Sequence, residues 1–435
     1  MLIPGKIPIV EPTIRVGLIL PEDSRQKLIV RLDPPDNFTS APATNESLPP
    51  ELHLQLSDGS IIVQELSSSP FKTFSISYKN RQQPDSSICI ASIPVGRGFH
   101  WQKIIEVAYY GQIHVKVDQG RLIVINELPL ETYLQCVATS EMSASCPSTL
   151  LEVQTVVARS WVLANREQKH AHWGMDVCND DCCQRYQGLN FLTPQAMEAN
   201  RNTRGQVLIH NDQIVDARYS KSCGGMTERF ENVWAGPPQP YLQNVPDMPK
   251  DEQQSFLSLA NETNFRKWIL TPPNAFCSPR YVPENSLSSY LGKVDRQETY
   301  FRWEIRFSSQ ELSELVNKKT GLKTEKIIDL VPLKRGGSGR IKKLKIEYSN
   351  PGGKPEATVI NSEYEIRRIL HPKFLFSSAF LVEKSGNTFQ LKGSGWGHGV
   401  GLCQIGALGM ALKEYSTSDI LRHYYLGTEL RNIYK

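Results

Sequence analysis

Between Gly393 and Gly409 the chain reads GSGWGHGVGLCQIGALG, seven glycines in 17 residues. Glycine at that density lets a chain fold back closely against another backbone or a ligand. The pattern predicts a tight loop from which Trp396, His398 and Gln404 project. It is not a phosphate loop, because GxxxxGK(S/T) is absent and no strand–GxGxxG–helix unit with a downstream acid fits. His398 reads equally well as a core histidine bonded to backbone, and a lone Trp396 as core packing.

The rest of the 435 residues is of ordinary globular texture, long enough for two or three domains. Short alternating or apolar runs at Ile14–Leu20, Leu28–Leu32, Leu52–Leu56, Ile61–Gln64, Thr73–Ser77, Ile104–Tyr110, Ile113–Val117 and Leu122–Leu128 predict strands and hairpins. At Leu130 the texture changes. A short helix is expected around Leu130–Val137, then a loop carrying Thr139, Ser140 and Glu141. Behind Pro147 comes a helix with Leu150, Val153, Val157, Trp161 and Ala164 on one face. A helix near Gln310–Lys318 and strands at Phe301–Phe307, Ile327–Pro332, Ile341–Tyr348 and Thr388–Lys392 follow. The class is α+β: a β-rich mixed fold of two lobes and a few helices around a groove. The segments are a β-rich region 1–100, a region 101–250 with the Ser-Glu-Met stretch, a mixed lobe 251–390, and the Gly-rich end 391–435.

A formal charge of +4 is too small and too dispersed to indicate nucleic acid. No apolar run approaches the roughly 18 residues of a membrane span. Met1–Leu20 is interrupted by Pro4, Pro8 and Pro12 and makes a poor export leader.

Three further stretches carry chemistry. Glu141, ahead of an amphipathic helix, is placed as a general acid facing a cleft would be, although a Ser-Glu pair there is more often a cap. In HAHWGMDVCNDDCCQ, His172, Cys178 and Cys183 offer imidazole and thiolate donors suited to Zn²⁺, with His170, Asp176 and Cys182 as further donors. Free thiols or a local disulfide are the plainer alternatives. In YSKSCGGMTERFENVWAG, Ser220, Ser222 and Thr227 are hydroxyl donors for a sugar, and Cys223 with His398 would be a protease pair if adjacent.

Four segments, in order, resemble the stage II sporulation protein D family: LETYLQCVATSEMSASCPSTLLEVQTVVARSWVLA, DVCNDDCCQRYQG, SCGGMTERFENVWAGPPQPYLQNVPD and GSGWGHGVGLCQIGALGMALKEY. Cys403 departs from the family's usual Ser. The resemblance implies a lytic transglycosylase acting on peptide-stripped peptidoglycan strands and leaving 1,6-anhydro-N-acetylmuramic acid ends. Glu141 is then the single acid/base, because the substrate's own C6 hydroxyl is the nucleophile. Arg159, Tyr219, Ser222, Trp396, His398 and Gln404 are implied as substrate contacts, and His172, Cys178 and Cys183 as ligands of a structural zinc. The substrate implies an extracytoplasmic location. The alternative is a non-catalytic, glycan-binding enhancer of a cell-wall amidase. A zinc hydrolase and a Cys/His protease are remoter readings.

Overall fold

The computed structural model describes residues 1–43, 47–67, 69–80, 85–99, 101–255, 258–292 and 299–434. Alternating and continuously apolar strands make up its first third. In β1 (Thr13–Ile19), β2 (Lys27–Asp33), β3 (Phe38–Ala41), β4 (Glu51–Ser57), β5 (Ser60–Val63), β6 (Thr73–Tyr78), β7 (Ser87–Val95), β8 (Lys103–Tyr109), β9 (Gln112–Asp118) and β10 (Arg121–Pro129), inward apolar residues share one core. Leu28, Val30 and Leu32 of β2 are typical, separated by exposed or half-buried neighbours. The strands form two sheets, ordered β5-β4-β2-β7-β8 and β1-β10-β9-β6-β3. The strand pair β7–β8 crosses residue 100, so the segment boundary expected there falls inside this β unit. Sequence reading passed over β3 and β7. In β7 the register shifts between Ile90 and Ile93, with Ser92 at φ +62°, which interrupts the alternation.

The change of texture at Leu130 marks the start of α1 (Leu130–Glu141), followed by α2 (Ser148–Ala164). α2 is buried on almost every side, not on one stripe: Leu150, Val153, Val157 and Ala164 are inside, but so are Gln154, Arg159 and Ser160. It packs against α1, α3 (Pro194–Asn202), the strand Gln206–His210 and the C-terminal helices Gln404–Ala411 and Thr417–Tyr424. The strand β11 (Val177–Cys178) then joins the edge of the sheet that contains β1, parallel to β1.

A third assembly uses the strands Arg302–Ser308, Thr388–Ser394 and Phe380–Ser385 as one sheet and Lys326–Arg335, Ile341–Ser349 and Pro355–Ile360 as another. Helices Ser309–Thr320 and Glu363–Ile369 close its core around Leu312, Val316, Ile346, Ile366 and Phe389. The class is α+β, as expected. No helix among the described residues is long and apolar enough to cross a membrane.

Candidate functional site

The stretch expected to be a loop around Glu141 is helical: α1 runs through Glu141 and ends at Met142, whose backbone is extended (φ −133°, ψ 145°). Packing extends the helix past the point where sequence pattern fades. Ser140 Oγ donates to Cys136 O at 2.7 Å and accepts the Gln187 amide at 3.1 Å, so this last turn is tied to the following loop. Glu141 is 7% exposed, which corrects the picture of an acid on an open loop.

Its carboxylate is met from three directions. Oε1 accepts from Tyr219 O–H at 2.9 Å and from Arg185 N–H at 3.1 Å. Oε2 faces the Gln404 side-chain amide at 3.4 Å, and that amide also donates to Gln154 Oε1 at 3.1 Å. A carboxylate in the last turn opposes the helix dipole. Lys221 answers this from below, its ammonium donating to Glu141 O at 2.9 Å.

The Gly-rich stretch supplies one wall. Tyr219–Ser220 pairs in parallel with Leu402–Cys403, and isolated bridges join Ser222 to Trp396 and Glu228 to Val400. At Gly401, φ is +71° and a Cβ would run into the carbonyl of Arg218. At Gly399, φ is +76° and a Cβ would displace the Arg340 guanidinium. Gly401 lets two backbone segments touch, and Gly399 leaves room for a guanidinium.

The Cys/His loop supplies another wall. Asp180 accepts from the amides of Gly96 and Arg97 at 2.9 and 2.8 Å, and Arg97 also pairs with Asp23. His170, Cys178, Cys182 and Cys183 present one nitrogen and three sulfurs within 4.8 Å of one another. The Cys178 and Cys182 sulfurs are 3.0 Å apart, and His170 Nε2 lies 3.6 Å from Cys182 Sγ. Sulfur hydrogen bonds from Cys178 and Cys183 hold the Cys182 thiol well below the ordinary thiol range, and His170 adds to this. This donor set is one that Zn²⁺ takes in closed structural sites.

The expected ligand His172 is outside the group: it is exposed and lies against Trp173, ring centroids 3.7 Å apart. The turn Ala171–Trp173 is 3₁₀ in form, so residues 170 and 172 point to different faces, and it is His170 that points inward. Asp176 is also removed from the donor set, because its carboxylate accepts the amides of Leu2 and Arg15.

The stage II sporulation protein family model matches residues 118–210, the span that holds Glu141 and the Cys/His loop. Over that span the chain carries a stage II sporulation protein domain, and most of its length is similar to stage II sporulation protein D. It is 25% identical over 321 residues to stage II sporulation protein D of Bacillus subtilis, covering 70% of this chain and 75% of that one. It is 28% identical over 310 residues to the amidase enhancer of Bacillus subtilis, covering 68% of this chain but 40% of that protein's length. An uncharacterized protein of Brachyspira hyodysenteriae is 26% identical over 324 residues, 74% of this chain and 72% of that one. Residues 228–401 match a separate domain of unknown function (DUF8618).

Of the other residues that resemblance to the family marked as substrate contacts, several are part of the framework. Arg159 has no exposed surface; it holds Glu131 through two hydrogen bonds, at 2.8 and 2.5 Å, and donates to Gln206 O. That corrects its assignment to the substrate: a guanidinium with no exposed surface, held by a buried carboxylate, does not reach a sugar. Trp396 stacks on Phe376 at 4.2 Å with Tyr300 at 4.8 Å, so its surface is taken up by aromatic packing. Ser222 is fully buried and its Oγ accepts from the Gly224 amide. Thr227 is likewise internal, bonded to Gln243 O and Val245.

His398 is half-buried beside Trp234, and its Nδ1 accepts the Val400 amide at 3.0 Å. Burial, and then the guanidiniums of Arg218, Arg367 and Arg340, hold its imidazole well below the usual range and therefore neutral. Cys223 sits with Cys277 and Cys403, so the Cys/His protease pair is not formed. Tyr219 and Gln404 alone of the expected contacts reach Glu141. Sequence reading missed Arg185, whose contribution is a backbone amide and so leaves no side-chain signal, and Lys221, which was in plain view between Ser220 and Ser222.

Proposed function

We propose that this protein is a lytic transglycosylase acting on peptide-stripped peptidoglycan strands, with Glu141 as its one acid/base. Similarity to the stage II sporulation protein D family and to an amidase enhancer supports a role at the cell wall. The observation that carries the finer reading is the hydrogen-bond arrangement at Glu141. Oε1 is already occupied by Tyr219 and Arg185, which leaves Oε2, with one long contact to Gln404, to carry the proton.

The chemistry needs one such group. The proton on Oε2 passes to the glycosidic oxygen as the bond from that oxygen to C1 of N-acetylmuramic acid breaks. The C6 hydroxyl oxygen of the same sugar then bonds to C1, and its proton returns to Glu141. Neither water nor a second carboxylate enters, in contrast to ordinary glycosidases. Because the attack is intramolecular, there is no translational entropy of a second reactant to overcome. The donors from Tyr219, Arg185 and Gln404 stabilise the carboxylate after the first transfer. A zinc ion on His170, Cys178, Cys182 and Cys183 would fix the loop that presents the Arg185 amide, two residues beyond Cys183, and would take no part in bond cleavage. A glycan substrate requires the protein to act outside the cytoplasmic membrane.

The second reading is a non-catalytic enhancer that binds glycan for a cell-wall amidase. The 7% exposure of Glu141 favours it, as does the similarity to a protein named amidase enhancer. Purified protein incubated with peptide-free strands separates the two. Anhydro-ended fragments from the parent and none from Glu141→Gln support the enzyme. Strand binding with no fragments from the parent supports the enhancer.

A further inference from the structure

We propose that Cys223, Asp247, Cys277 and Cys403 form a second metal site, for a tetrahedral divalent ion of the zinc class, in the interior beneath the Gly-rich segment. The four residues come from distant parts of the chain, yet three sulfurs and a carboxylate oxygen lie within 4.8 Å of one another. All four are buried, at 2%, 0%, 2% and 0% exposure. The Cys223 and Cys277 sulfurs are 3.8 Å apart. Two thiolates bound at about 2.3 Å to a tetrahedral zinc are separated by about that distance.

The surroundings are those of metal ligands and not of loose core thiols. The Cys403 sulfur accepts the amides of Cys223 at 3.1 Å and Gly406 at 3.3 Å, which orients it as a thiolate at the start of the helix Gln404–Ala411. Asp247 is fixed through both oxygens, by Tyr424 O–H at 2.6 Å and the Cys277 amide at 3.1 Å. Orienting bonds of this kind to ligating groups are what metal sites need. Gly406 is where Asp247 and Tyr424 press on the helix; a Cβ there would collide with both.

Charge supplies an independent argument. Among the described residues Asp247 has no lysine or arginine partner, and the nearest basic atom is His423 Nε2 at 3.9 Å, itself without a hydrogen-bond partner. A divalent ion on three thiolates and one carboxylate gives that buried carboxylate the cation it otherwise lacks. Cys403 is followed by Gln404, so the ion would also fix the residue that touches Glu141.

The site does not depend on the glycan-cleaving reading, and metal content tests it directly. The Cys182→Ser variant lacks a complete outer Cys/His cluster, and the change lies in an exposed position. Full-length Cys182→Ser protein, loaded with zinc and dialysed, is expected to retain one equivalent by elemental analysis. Adding Cys277→Ser or Asp247→Asn is expected to remove it. Because a core variant can fail to fold, cobalt loading of Cys182→Ser alone gives a second readout: thiolate-to-cobalt charge-transfer absorption and the visible bands of a tetrahedral ion. Zinc-free Cys182→Ser protein without the cobalt bands overturns the proposal. So does a mass spectrum of unreduced, alkylated protein showing Cys223 joined to Cys277 as a disulfide.

Discussion

The Gln404 side-chain amide reaches Oε2 of Glu141 at 3.4 Å although the two residues are 263 positions apart. This contact joins the two most distinctive motifs of the chain, the Ser-Glu-Met turn and the Gly-rich run, at one carboxylate. Replacing Glu141 with Gln keeps the shape and removes the transferable proton. Release of anhydro-ended fragments should fall by ~10²–10⁴-fold, the usual range for a general acid/base, with strand binding unchanged in a co-sedimentation assay.

Tyr219→Phe tests the cage and leaves the acid in place. It keeps the ring and deletes the 2.9 Å donor to Oε1. Loss of one hydrogen bond to a charged group should cost ~1.5–3 kcal/mol. If that falls on the state after proton transfer, turnover drops by roughly tenfold or more while KM holds. An equal loss in thermal stability with unchanged turnover would make the tyrosine a purely structural prop.

Arg159→Met should leave strand binding by folded protein intact, since the side chain never reaches the site. It should cost ~3–5 kcal/mol in denaturant unfolding, because Glu131 is left buried without its cation. Burial acts to raise the Glu131 carboxyl, but hydrogen bonds and charge from Arg159, with help from Tyr434 and Asn200, win and hold it below the ordinary 4.5. The sign follows: this stabilisation is complete above pH 4.5 and is lost as pH falls through the lower folded-state value. Unfolding free energy of the parent should therefore decline below pH 4.5, and less of that decline should remain in a Glu131→Gln/Arg159→Met double variant.

The two histidines of the Cys/His loop should separate cleanly. His170→Ala is expected to hold one zinc equivalent fewer than the parent protein, and His172→Ala the same number, as read by metal content after dialysis. Retention in His170→Ala together with loss in His172→Ala would restore the ligand set suggested by motif spacing.

Gly401→Ala probes the approach of the two backbones. A residue with a Cβ at φ +71° costs ~1–2 kcal/mol from conformation alone, and the clash with Arg218 O adds to it. Thermal unfolding should show a loss of at least that size, accompanied by reduced strand cleavage as Gln404 shifts.

Much of the site was legible in the residue order. Alternation in Leu28–Leu32 or Ile113–Val117 is set by which side chains must leave water, so those strands were readable locally. The Ser-Glu-Met turn and the glycine spacing carried the family resemblance and marked Glu141, with Tyr219 and Gln404 only two among six candidate contacts, since chemistry restricts residue type at such positions. What residue order left open is direction and partnership. Arg159 and Glu131 are 28 positions apart, and only packing of α1 on α2 turns that arginine into a framework ion pair. His170 and His172 are equivalent as letters, and a single 3₁₀ turn decides which faces the sulfurs. Cys223, Asp247, Cys277 and Cys403 carry no common spacing. Tertiary structure alone brings them together, because the distances that govern metal binding and proton transfer are set by long-range packing and not by neighbours along the chain.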